Sequence, residues 1–127
     1  WQQYVDKNLV GTGMVKHAGI YGHNGAKWAA SPGFNVTAAE IVKIVANIKQ
    51  TEAQELYTSG VHIAGTKYMY LRHEPNLHIY CRKGQTGLCI SLCKQCVLVG
   101  FFDDTMQPGR CNTVVEKLAE YLIGQNY

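Results

Sequence analysis

Between Val61 and Phe102 the chain reads VHIAGTKYMYLRHE, LHIYCRKG, GLCISLC and CVLVGFF, a succession of apolar, β-branched and aromatic segments separated only by turn-length interruptions. This run constrains the fold more than any other feature. A parallel neighbour needs a crossover of a dozen or more residues, whereas Gly65-Thr66, Pro75-Asn76, KGQTG and Lys94-Gln95 leave room only for reversals of direction. The stretch is therefore predicted to be an antiparallel meander. A central sheet of this kind, with a layer of helices on each face, buries these segments and the helical stripes.

The rest of the chain supplies those layers. MVKHAGIYG and AKWAAS flank GHNG, whose glycines and Asn24 suit a tight hairpin, so two early strands are predicted. In AAEIVKIVANIKQ, Ile41, Ile44, Val45 and Ile48 recur at helical spacing. Thr37 and Glu40 precede that stripe as a capping box, each side chain bonding the other's backbone N–H. The same letters make NVT at Asn35 a glycosylation sequon, relevant only to a secreted chain; the helix cap is the plainer use. At the start, WQQYVDKNL places Trp1, Tyr4, Val5 and Leu9 on one helical face. At the end, MQPGRCNTVVEKLAEYLIG buries Val115, Leu118 and Leu122, sets Val114 and Tyr121 at the edge of that stripe, and offers Gly124 as a left-handed cap. The expectation is one α+β domain over 1–127, with a central antiparallel sheet between the terminal helices on one face and the middle helix on the other.

Several function classes are disfavoured. Formal net charge is +3 with no block of like charges, which leaves little long-range attraction to nucleic acid. No apolar run approaches the ~20 residues of a membrane span, and the start has neither a basic leader nor an apolar signal core, so a soluble, non-secreted chain is expected. Five cysteines, an odd number, fit a reducing compartment better than a disulfide framework. CISLCKQC contains Cys89, Cys93 and Cys96, yet structural zinc wants four ligands in paired knuckles, whereas Cys93 and Cys96 bracket a hairpin turn. Free, buried thiols and no bound metal are expected, with an incidental Cys93–Cys96 disulfide left open. His17, His23, His62, His73 and His78 are scattered, GTGMVKHAG does not match a dinucleotide fingerprint, and neither GxSxG nor HExxH occurs. No enzyme and no cofactor are expected.

The aromatic termini say more. If the terminal helices lie side by side, Trp1, Tyr4, Tyr121 and Tyr127 form an aromatic floor, Trp28 reaches its edge, and Trp1 and Tyr127 stand at opposite ends. One use is simple cover for the sheet. The other is a groove for polyproline II segments, whose rings pack on aromatic walls and whose carbonyls accept from indole N–H and phenol O–H.

WQQYVDKNLVGTG, KWAAS, GTKYMYLR followed by IYCRKG, and QPG followed by VVEKLAEYLIGQNY occur in the order seen in profilins, small eukaryotic actin-monomer-binding proteins. The chain resembles those of amoeba and fungal type over nearly its whole length. Profilins usually carry two residues ahead of the tryptophan that stands first here. The resemblance implies an α/β/α sandwich in the cytoplasm and cytoskeleton, binding of monomeric actin and of proline-rich partners such as formins, and phosphoinositide regulation. It carries the polyproline site to Trp1, Tyr4, Trp28, Tyr121, Leu122 and Tyr127. The actin face maps to Arg72, Arg82, Lys83, Phe102, Gln107, Gly109, Asn112 and Lys117. Leu92 and Thr105 stand where related chains often have basic residues, and HEPNLHIY replaces a shorter, more charged turn. A less basic actin face with altered affinity and salt dependence follows. Two alternatives are a small-molecule sensor with a cavity under the sheet, and a thiol-dependent enzyme using Cys93 or Cys96.

Overall fold

The computed structural model describes residues 1–52 and 54–127. Seven strands, β1 (His17–Gly22), β2 (Lys27–Ala30), β3 (Val61–Ile63), β4 (Thr66–Glu74), β5 (His78–Lys83), β6 (Thr86–Leu92) and β7 (Cys96–Phe102), form one sheet ordered β2-β1-β7-β6-β5-β4-β3. Every pairing is antiparallel. The meander runs unbroken from β3 to β7, and the early hairpin joins it through β1 against β7.

Period-two alternation sorts the side chains into two cores. From β6 and β7, Leu88, Ile90, Val97 and Val99 point to one face, where Ile41, Ile44, Val45 and Ile48 of helix α1 (Ala38–Lys49) cover them. Cys89, Leu98 and Phe102 point to the other, beneath Val5 and Leu9 of the N-terminal segment and Val115, Leu118 and Leu122 of the C-terminal helix. This is the predicted α/β/α layering. The capping box at the head of α1 forms: Glu40 N–H donates to Thr37 Oγ1 at 3.2 Å, and Thr37 N–H to Glu40 Oε1 at 2.9 Å. The Glu40 carboxylate also accepts from the N–H groups of Ala64 and Gly65, both at 3.0 Å, tying the helix start to the β3–β4 turn.

Four details differ from the sequence reading. The N-terminal segment is a π-type turn, Tyr4–Leu9, followed by a 3₁₀ turn, Val10–Thr12, although Val5 and Leu9 are buried as expected. A short helix α2 (Gln54–Ser59) was not foreseen; Leu56 is its one buried residue, so it carries no apolar stripe. The β3–β4 reversal uses Ala64 and Gly65, both at positive φ, and Thr66 already pairs with Ile63. At the chain's end the left-handed residue is Asn126 (φ 69) rather than Gly124, which still belongs to helix α3 (Pro108–Gly124).

The seating of α3 depends on Gly100 of β7. A Cβ there would lie 2.5 Å from Val115 Cγ2, so the missing side chain is what lets the helix approach the sheet. Among the described residues no helix is long and apolar enough to cross a membrane.

Candidate functional site

The two chain ends meet, each held by polar contacts at its base. Gln2 Nε2 donates to the Ala30 carbonyl of β2 at 3.0 Å, fixing the first turn over the early hairpin. At the other end, the Tyr127 carbonyl accepts from the backbone N–H groups of Gln95 and Cys96 in the β6–β7 turn, the latter at 3.2 Å. Gln95 Nε2 reaches the Asn126 carbonyl at 2.8 Å, and Lys94 Nζ reaches Asn126 Oδ1 at 3.2 Å. His23 buttresses the same turn from the early hairpin. Its Nε2 lies 3.1 Å from the carbonyls of both Cys93 and Cys96, and since carbonyls only accept, the tautomer carries its proton there.

Over this base the aromatic side chains assemble. The Trp1 indole lies 4.7 Å from Trp28, 5.8 Å from Tyr4 and, nearly perpendicular at 88°, 4.9 Å from Tyr127. Tyr4 in turn lies 6.2 Å from Tyr121. These are separations at which aromatic pairs attract. Trp1 therefore stands in the middle of the cluster. It touches Tyr127 rather than facing it from the opposite end, and Tyr127 and Tyr121 are the outer members. Trp1 is 39% exposed, Tyr121 52% and Tyr127 42%, so part of each ring faces solvent. The neighbouring Tyr121 phenol is the leading cause that raises the Tyr4 phenol above its ordinary value. Leu122 does not join this surface: at 1% exposure it lies in the core below.

A second group of expected residues gathers on the strands. Arg72, Arg82, Phe102 and Asn112 line one depression of about 260 Å³ with Pro108. The Arg82 guanidinium carbon sits 5.7 Å from the Phe102 ring centroid, an arginine held over an aromatic face. Phe102, 2% exposed, is the floor of that depression and offers no free surface of its own. Gln107 precedes α3, and Gly109 lies exposed in its first turn. Lys83, at the end of β5, opens onto an adjoining depression with Lys67, Met69 and Tyr57. Lys117 is displaced from this group. It projects from the opposite flank of α3 and lines a groove with Tyr4, Asn8 and Tyr121, on the aromatic side.

Sequence reasoning missed two features beside these strands. Met69, Leu71 and Tyr57 are exposed large apolar residues, and a β-bulge between Tyr70 and Arg72 interrupts the β4–β5 pairing. The second is a polar network: the Tyr80 hydroxyl donates to Glu116 of α3, whose Oε1 also lies 3.2 Å from His78 Nδ1, and His78 stacks on Tyr80 at 4.4 Å. Burial is the leading cause of the lowered His78 basicity, and burial with the Glu116 contact keeps the Tyr80 phenol protonated. Tyr80 and Glu116 are 36 residues apart, a separation at which no local spacing pattern exists. Of the departures, Leu92 is buried, and Thr105 donates its N–H and Oγ1 to Asp103 Oδ1, holding the loop ahead of α3.

All five cysteines are buried and unbridged. Cys93 and Cys96 do bracket the turn, the Cys93 N–H donating to the Cys96 carbonyl at 2.8 Å, while the Cys93 thiol donates to the Ala119 carbonyl at 3.8 Å. The neighbouring Cys96 and burial hold the Cys93 thiol well above the usual thiol range. Cys96 is fully buried, a poor position for a nucleophile that must meet substrate.

A family model described as Profilin matches residues 1–127. Profilin-2 of Acanthamoeba castellanii is 41% identical over 127 residues, covering 100% of this chain and 98% of that protein. Profilin-1 of Dictyostelium discoideum is 39% identical with the same coverage. The crystal structure of Acanthamoeba castellanii profilin II superposes with a TM-score of 0.94 at 41% identity, covering 100% of this chain and 99% of that one. Mouse profilin IIa, in complex with a double repeat from the FH1 domain of mDia1, shares the fold at a TM-score of 0.80 and 21% identity, over 100% and 99% of the two chains.

Proposed function

Because the chain belongs to the profilin family, whose members bind actin and polyproline, we propose that it is a non-catalytic adaptor of the cytoplasm and cytoskeleton. It holds proline-rich segments on the aromatic cluster and monomeric actin on the strand face that runs into the start of α3. The observation that carries this reading is the half-exposed cluster of Trp1, Tyr4, Trp28, Tyr121 and Tyr127, built from both chain ends and anchored at its base.

The chemistry is that of recognition without reaction. Prolyl rings lie in the notches between aromatic faces, and the Trp1 and Trp28 indole N–H groups and the tyrosine hydroxyls donate to ligand carbonyls that have no N–H of their own to satisfy them. The FH1 double repeat held by the mouse protein indicates the class of ligand to test. On the second face, Arg72 and Arg82 supply donors and Met69, Leu71 and Tyr57 supply apolar area, the mix expected of a protein-binding patch. Lys67, Arg82 and Lys83 line one depression there and are the positions expected to meet phosphoinositide headgroups. Nothing favours a sensor with its ligand enclosed under the sheet, since the middle of each sheet face is covered by a packed core.

The test is a titration of tryptophan fluorescence with a proline decamer, paired with sedimentation velocity of the protein mixed with monomeric actin. Saturable change in the first and a boundary faster than that of either protein alone in the second are expected. Absence of both would overturn the adaptor reading.

A further inference from the structure

On the flank of α3 turned away from the aromatic cluster, a cleft of about 410 Å³ opens between the helix and the start of β5 and end of β6. Its walls are apolar, from Leu77, Leu92, Ala119 and Ile123, and its polar groups come from His78, Ser91, Glu116 and Glu120. That size lies within the range of small-ligand sites. Ser91 sets this cleft apart from an ordinary surface groove. The residue is 3% exposed, lines the cleft, and its hydroxyl has no hydrogen-bond partner of normal geometry among the described residues. The Cys89 thiol, two residues back on the same strand face, offers it only a weak contact. A buried hydroxyl left in that state is unfavourable unless something completes it.

The charge at the rim narrows the class of ligand. Glu116 already receives the Tyr80 hydroxyl and His78, whereas Glu120, one turn on, is exposed and has no ion pair among the described residues. The cleft thus presents an apolar floor, a buried hydroxyl and carboxylates at its mouth. We propose that it is a binding site for a small organic cation, an aliphatic or cyclic body carrying an ammonium group. The body packs on Leu77, Ala119 and Ile123, and the ammonium donates to Glu120 and Ser91. The site is separate from the aromatic cluster and does not rest on the adaptor reading.

The experiment uses the whole ¹⁵N-labelled chain with cyclohexylmethylammonium as probe, cyclohexylmethanol as its neutral counterpart and cyclohexanecarboxylate as its anionic one. Amide shifts are followed at Ser91, Leu92, Ala119 and Glu120, with and without saturating proline decamer. A probe of this size is expected to bind with a Kd of about 1 mM, ammonium ahead of alcohol and alcohol ahead of carboxylate, and the decamer is expected to leave that order unchanged. Glu120→Gln should weaken the ammonium about threefold and leave the alcohol unaffected, in keeping with an exposed ion pair. Ser91→Ala should weaken the ammonium while the melting temperature of the free protein holds or rises, since the variant removes an incomplete buried polar group.

Absence of a saturable shift below about 10 mM would overturn the proposal, as would equal affinities for ammonium and carboxylate or shifts confined to Trp1 and Trp28. A Ser91→Ala protein that melts lower yet binds the ammonium as well as wild type would also overturn it, by showing the hydroxyl to be structural.

Discussion

Replacing Trp1 by alanine probes the aromatic cluster at its centre. The residue is 39% exposed, so about three-fifths of it is buried, against Trp28, Tyr127 and Tyr4. A fully buried tryptophan cut to alanine costs about 3–5 kcal/mol, and scaling by the buried fraction gives about 2–3 kcal/mol of lost stability, or a fall in Tm of about 10 °C. Loss of a central aromatic anchor from a binding surface costs about 2 kcal/mol or more, which is about thirtyfold in Kd for a proline decamer. A second variant separates the two effects. Trp1→Phe keeps a ring in place but removes the indole N–H, and is expected to melt close to wild type while binding the decamer about fivefold more weakly, the worth of one hydrogen bond. Calorimetric titration is the suitable assay, because the alanine variant retains only one tryptophan, Trp28, as a reporter. Actin affinity should be unchanged in both variants, since Arg72, Arg82 and Asn112 lie on the far side of α3. A folded Trp1→Ala protein with wild-type proline affinity would show that the aromatics merely cover the sheet. Equal loss of actin and proline binding by a folded variant would refute the separation into two faces.

Reversing charge at Arg82 and Lys83 to glutamate should weaken actin binding, more at low salt than at high, as measured by sedimentation across an ionic-strength series; affinity unchanged at low salt would place the interface elsewhere. Thr37→Ala breaks the capping box and should lower stability by about 1 kcal/mol in a urea melt, whereas an unchanged midpoint would mean the N-cap bond adds nothing. Burial raises the Cys111 thiol from its usual 9.0 to about 12. Its contribution to stability should be intact below pH 9 and fade as the pH climbs toward 12, because the unfolded chain ionises first; a melting temperature flat to pH 11 would contradict this. For His78 the sign is opposite: burial lowers its basicity, so its contribution is present above pH 6.5 and diminishes as the unfolded histidine takes up a proton below that. An NMR titration midpoint at or above 6.5 would show that Glu116, not burial, governs the ring.

What the sequence made legible was whatever depends on neighbours in the chain. The turns at Pro75-Asn76 and Lys94-Gln95, the Thr37–Glu40 cap and the stripes of α1 and α3 are local patterns, and the meander follows from their spacing. Helix α2 was hidden because one buried leucine in six residues makes no stripe. The side on which a residue ends up was harder to read. The helical stripe already marked Leu122 as buried, and the structure bears that out over the groove position the resemblance carried to it, while Phe102, expected on a binding surface, sits where strand alternation turns inward and the second core layer claims it. Lys117 is five residues beyond Asn112, and five residues at 3.6 per turn carry a side chain around the helix to the other flank. The Tyr80–Glu116–His78 network and the central place of Trp1 depend on contacts between distant parts of the chain, which periodicity does not encode.

The close fit of Val115 over Gly100 bears on how the two proposed binding faces communicate. Helix α3 shows Asn112 to one neighbourhood and Tyr121 to the other, so it is a single strut shared by both, and a strut pressed onto bare backbone has little freedom to slide or roll. A helix held in one position gives occupancy on one side no lever by which to alter affinity on the other, and the coupling free energy is expected to be close to zero. The expected behaviour is statistical independence: the dissociation constant for each partner is the same whether or not the other is present, and the two ligands can be loaded in either order. A bulkier residue at Gly100 would lift the strut from its seat, and is the change most apt to make the two affinities depend on one another.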